Sequence, residues 1–188
     1  MPDLCLNVRY LLWKKGVARA VWHSRLATLL GWAEDAAEIF LTGESGTLGD
    51  KELKSLARFG GVAEGDLTTK DLLAVANLDL FHENISFLID LLPHGEKKRF
   101  AEKLGVDATT ISRWKNGAQK PTKRKQTAIL RYFGLPNETD LASAAVFLSS
   151  GPVGTAELRK WLHGQIERLD GDLLLGLYPA FTRLLRRG

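Results

Sequence analysis

The 188-residue sequence has one cysteine, Cys5, and one methionine. An intramolecular disulfide is therefore excluded, and packing alone must hold the fold. No apolar run nears the roughly 20 residues of a membrane-spanning helix, and the longest candidate, Leu173 to Leu177, covers only a few positions. The N-terminus lacks a positive stretch followed by an apolar run and a small-residue cleavage site. No signal peptide is expected, and a reducing cytoplasm is the expected compartment. His23, His82, His94 and His163 are scattered, without the spacing of a metal site. Neither a phosphate-cradling glycine loop nor a serine nucleophile motif is present, and Cys5 has no evident base near it. These absences argue against an enzyme, and neither a metal nor a cofactor is expected.

What remains is a chain that is 45% hydrophobic, enough for one domain or two small ones with cores of their own. The net charge of +4 says little by itself. Its distribution says more. Residues Pro93 to Phe133 hold eleven Lys/Arg against three Asp/Glu, whereas Gly31 to Asp71 hold four against nine. A basic unit therefore lies beside an acidic one.

Compared with itself at an offset of 74, the sequence repeats. Arg25, Ala27, Leu30 and Gly31 fall on Arg99, Ala101, Leu104 and Gly105; Gly43 falls on Gly117; Phe59 and Gly60 fall on Phe133 and Gly134. Asp66-Leu67 falls on Asp140-Leu141, and upstream Asn7 to Leu11 resembles Asn84 to Leu88 at an offset of 77. The first copy thus carries three extra residues between its first two helices. The domains expected are 1–78, 79–141 and a C-terminal helical segment, 142–188.

Each copy reads as short helices. Ile85, Leu88, Ile89 and Leu92 recur at helical spacing and stop at Pro93. Phe100, Ala101 and Leu104 form the next apolar face, which Gly105 ends. Asp107 is a good N-cap for a helix with Ile111 and Trp114 inward, closed by Gly117. Pro121-Thr122 opens a further helix, carrying Ile129, Leu130 and Phe133, and Pro136-Asn137 starts the next. In the tail, Thr155 can cap a helix with Leu158, Trp161, Leu162, Ile166 and Leu169. Asp170 or Asp172 can start another, with Leu173, Leu174, Leu177 and Phe181, interrupted or kinked at Pro179. No alternating strand pattern is seen, so the expected fold is all-α.

Two short helices joined by a turn at Gly105 form a helix-turn-helix. The segment Arg99 to Gly117, with Ala101, Leu104, Gly105, Ile111, Trp114 and Gly117 at these spacings, resembles the lambda-repressor/Cro (XRE-type) helix-turn-helix family. The likeness covers about residues 84–141. Residues 7–67 resemble the same fold more weakly, as a degenerate first copy of a tandem pair.

The resemblance implies that the helix from about Asp107 to Asn116 enters the major groove of double-stranded DNA. It makes Thr109, Thr110, Ser112 and Arg113 the candidate base readers. Lys97, Lys98, Lys115, Asn116, Lys120, Lys123, Arg124 and Lys125 become candidates for phosphate. A lysine cluster is often a solvated face, but this one flanks the motif on the expected side. Trp114, by its spacing from Ile111, is a core residue rather than a base-stacking one.

In the first copy the matching helix is Ala33 to Phe40, where Asp35 replaces Thr109, Glu38 replaces Ser112 and Ile39 replaces Arg113. Carboxylates would face phosphates there. That face suits either a protein partner or packing against the second copy. The stretch Arg9 to Arg25, with Lys14, Lys15 and Arg19 and no acid, leaves room for DNA backbone on another side. The apolar stripe of the tail, with Trp161, Leu162, Leu174 and Phe181, either covers the chain's own core or forms a homodimer interface. Two functions follow: a transcriptional repressor binding DNA as a homodimer, or a protein-interaction module such as an antitoxin or adaptor with secondary autoregulatory DNA binding.

Overall fold

Gly31 and Gly105 each end a helix in the left-handed region, with φ of 70° and 60°. A Cβ-bearing residue is strained there, so glycine lets the chain turn sharply into the next helix. The computed structural model describes residues 3–43 and 47–185, the side chains of 155, 156, 184 and 185 excepted.

Its helices are α1 (Leu4–Lys14), α2 (Trp22–Leu30), α3 (Glu34–Thr42), α4 (Asp50–Gly60), α5 (Glu64–Thr69) and α6 (Leu72–Val75), then α7 (Leu80–Asp90), α8 (Glu96–Leu104), α9 (Ala108–Lys115), α10 (Lys123–Tyr132), α11 (Gly154–Arg168) and α12 (Gly171–Leu185). Single 3-10 turns lie at Arg19–Val21 and Val146–Leu148. The first of these falls where three extra residues were expected between α1 and α2. No strand occurs among the described residues, so the fold is all-α. No helix among them is long and apolar enough to cross a membrane.

Two groups of buried side chains form. The first gathers Leu11, Leu12, Leu26, Phe40, Leu56 and Leu67 from α1 to α5. The second gathers Ile85, Leu88, Phe100, Ile111 and Ile129 from α7 to α10. Each fully buried side chain of this size contributes about 2 kcal/mol of transfer free energy.

One buried asparagine stitches each group to the chain downstream. Asn7 Nδ2 donates to the carbonyls of Leu67 (2.9 Å) and Lys70 (2.8 Å), and its Oδ1 accepts from the Leu72 N–H at 2.9 Å. Asn84 Nδ2 donates to the carbonyls of Leu141 (2.8 Å) and Ala144 (2.6 Å), and its Oδ1 accepts from the Phe147 N–H at 3.0 Å. The segment after this second stitch serves both groups. Phe147 and Leu148 pack into the first, and Val153 packs into the second. The Leu148 carbonyl also accepts from Arg9 Nη1 at 3.0 Å.

Three sequence expectations are corrected. No helix starts at Pro136-Asn137. Residues 137–144 form turns, because the Asp140 carboxylate accepts from the Ala142 N–H and the Ser143 hydroxyl, a local alternative to helical bonding. Thr155 is not a cap: α11 begins at Gly154 with Val153 in the cap position, and Glu157 Oε2 accepts from the Val153 N–H at 2.8 Å. Finally, α12 runs through Pro179 without interruption. It starts from Asp170, whose carboxylate accepts from the Leu173 N–H at 2.8 Å; Asp172 lies inside it.

Candidate nucleic-acid interface

Phe100, Ala101 and Leu104 bury the inner face of α8. After Gly105 the Val106 N–H bonds back to the Ala101 carbonyl at 3.0 Å, which fixes the turn. Asp107 then caps α9, accepting from the Thr110 N–H at 2.5 Å. That bond holds the Asp107 carboxyl below its usual range, aided by the Thr110 hydroxyl. Ile111 and Trp114 anchor α9 inward, so the indole is a core group as its spacing predicts. The indole N–H finds no acceptor among the described residues.

Anchoring one face of α9 presents the other. Ala108, Thr109, Ser112 and Arg113 are exposed, while Thr110 is half-buried. Arg113 makes no side-chain hydrogen bond or ion pair among the described residues, so its fork of donors is uncommitted. The Ser112 hydroxyl donates back to the Ala108 carbonyl at 3.2 Å and keeps only acceptor capacity. The four predicted base readers therefore share one short helix, with Thr109 and Arg113 the most accessible in chemistry.

The eight predicted phosphate groups divide. Lys97 and Lys98 are exposed in the first turn of α8, and Lys123 and Arg124 in the first turn of α10. Cations at a helix N-terminus oppose the helix dipole. A phosphate there would meet both the positive helix end and the side chains. Asn116 is exposed at the end of α9.

The other three are engaged within the chain. Lys115 pairs with Asp90 at 2.5 Å, and Lys120 with Asp79 at 3.1 Å. Lys120 also lies over the Phe81 ring, 5.3 Å from its centre. Lys125 Nζ donates to the carbonyls of Leu104 and Gly105, capping the end of α8. Asp79 and Asp90 carry no mark of this role in the sequence. Each is far along the chain from its lysine, and no local pattern announces the pairing.

In the first half, α3 exposes Glu34, Asp35, Glu38 and Ile39. Basic side chains before α3 are partly occupied. Arg19 pairs with Glu157 at 3.1 Å, donates to the Gly151 carbonyl and lies 5.2 Å from the Phe87 ring centre. Arg25 stacks on Phe59 and Lys14 on Tyr10.

Of the four residues predicted to join two chains, three line two different recesses. Trp161 lines a cavity of about 320 Å³ with Ile39 and Trp22. Leu174 and Phe181 line a groove of about 350 Å³ with Ile166, Leu175 and Tyr178. Leu162 is exposed on α11. Among the described residues, no cluster of three or more His, Cys, Asp or Glu side chains could hold a metal ion.

Residues 96–136 match the model of a helix-turn-helix family of the XRE type. The match takes in α8, α9 and α10 and less than half of the chain. Domains of this family bind DNA rather than catalyse. No curated protein and no solved structure matches the chain.

Proposed function

We propose that the chain is a sequence-specific transcription regulator, a repressor that binds a palindromic operator as a homodimer in the cytoplasm. The carrying observation is the exposed face of α9, with Arg113 uncommitted, in the segment that matches a DNA-binding family. Arg113, with Thr109 beside it, reads bases in the major groove. Lys97, Lys98, Lys123 and Arg124 hold phosphate.

Residues 1–78 are a degenerate first copy and 79–141 the DNA-reading copy. The paired stitches of Asn7 and Asn84 support this, since their three partners lie at offsets of 74, 74 and 75. One short helix reads only a few base pairs, so a second chain supplies the second reader. Among the described residues, nine of the twelve exposed large hydrophobics lie on α11 and α12, which makes residues 142–188 the better surface for that contact. Genome-wide mapping of bound DNA, followed by titration on the recovered duplex and on a scrambled one, tests the reading. Equal affinity for both would overturn sequence-specific recognition.

A second reading has its own observation. The exposed Glu34, Asp35, Glu38 and Ile39 on α3 form a mixed acidic and apolar face suited to a protein. The chain is then an antitoxin or adaptor whose DNA binding is autoregulatory. Co-purification of a stable partner that Ile39→Asp releases would favour it.

A further inference from the structure

Helix α7 carries an aspartate at each end, and each holds a lysine next to the reading helix. Asp79 caps the start of α7, its carboxylate accepting from the His82 N–H at 3.2 Å while binding Lys120. Asp90, the last residue of α7, binds Lys115, the last residue of α9. The helix between them is fixed, because Phe81, Ile85, Leu88 and Ile89 are buried in it. Neither carboxylate can therefore follow its lysine far from the body of the protein.

We propose that Asp79 and Asp90 compete with DNA phosphate for Lys120 and Lys115, which lowers affinity for duplex of any sequence and leaves the base readers a larger share of operator binding. This inference rests on the DNA-binding reading. A lysine that leaves a carboxylate for a phosphate exchanges one ion pair for another, and the abandoned carboxylate then lies near a polyanion. Little is gained. A lysine with no ion pair among the described residues, such as Lys123, gains the whole contact and releases condensed counterions. Binding to random DNA is almost entirely the sum of such contacts, whereas operator binding adds the base readers. Holding back two lysines thus lowers the unspecific term and leaves the difference between sites unchanged. The first copy supports the pairing as a unit: Leu41 replaces Lys115 and Trp13 replaces Asp90, so acid and base are absent together.

The test uses the full chain and a random-sequence duplex across a salt series. Asp79→Asn keeps an N-capping side chain, and Asp90→Asn is nearly isosteric. Together they should steepen the dependence of log K on log salt by about 0.9 for each lysine released. Random-DNA affinity should rise on the order of tenfold at low salt. Glu83→Gln removes one negative charge from the same helix without freeing a lysine, since Glu83 has no ion pair among the described residues. It should leave the slope unchanged. Lys115→Gln should matter little in the parent and reduce the slope in the Asp90→Asn background.

An unchanged slope in the double variant, or a change matched by Glu83→Gln, would overturn the proposal while leaving DNA binding intact. Failure of the parent to bind any duplex would instead overturn the DNA-binding reading, and this inference with it. Were Asp79→Asn to unfold the protein, Asp90→Asn with Lys115→Gln carries the same test.

Discussion

Asn84 is completely buried, yet both sides of its amide are paired. Truncation to alanine leaves the Leu141 and Ala144 carbonyls and the Phe147 N–H without partners inside the protein. Each such orphan costs about 1–3 kcal/mol. Asn84→Ala should therefore lower stability by on the order of 3 kcal/mol, read from the urea midpoint, and a loss below about 0.5 kcal/mol would show the stitch to be idle. Asn7→Ala should do the same in the first half. Arg113 is the opposite kind of residue, exposed and without a side-chain bond among the described residues, so its removal should spare stability. On the operator, Arg113→Ala should cost about 1–3 kcal/mol of binding and relax preference at one base pair. Lys123→Ala should weaken operator and random duplex alike. Equal losses on both duplexes for Arg113→Ala would take base reading away from it.

Helices of eight to eleven residues, such as α7 and α9, depend on their ends as much as on their faces. Both begin at an aspartate held below the usual carboxylate range. The cause is first the His82 N–H for Asp79 and first the Thr110 N–H for Asp107. A depressed folded value means stabilisation that is fully present above the unfolded value of about 4 and lost as pH falls through the folded one. Stability should thus drop on acidification below about pH 4, and Asp79→Asn with Asp107→Asn should flatten that drop in urea titrations at pH 7 and pH 3. An equally steep drop in the variant would assign the acid sensitivity to other groups.

The same local signals explain what could be read from sequence. Gly105, Asp107 and Thr122 mark boundaries of α8, α9 and α10 through backbone chemistry within a few residues. The pairs Lys115–Asp90 and Lys120–Asp79 span 25 and 41 residues, so only the packing of α7 on α9 creates them. Likewise Asp140 drew the chain into turns where Pro136-Asn137 promised a helix. Pro179 sits in an exposed part of α12, where the backbone bond it cannot make is open to water. Pro179→Ala should restore that bond and stabilise α12 by up to about 3 kcal/mol.

At the scale of the whole molecule, the tail has two different faces. Glu157 and Trp161 point α11 toward the first half, through the ion pair with Arg19 and the cavity beside Ile39. Leu174 and Phe181 belong instead to the groove between α11 and α12, whose walls are almost wholly apolar. Exposed apolar area of this kind is costly in water unless something covers it. On the homodimer reading the cover is the same groove of a second chain, since a two-fold contact is self-complementary. The groove residues, rather than Trp161, should then govern assembly. Leu174→Asp with Phe181→Asp should lower the oligomeric state in light scattering, whereas Trp161→Ala should leave it unchanged. Deleting residues 155–188 should reproduce the first result and weaken operator binding more than random-duplex binding, because only the operator offers paired half-sites. A parent that is monomeric at micromolar concentration, both free and on its operator, would remove the need for a second chain.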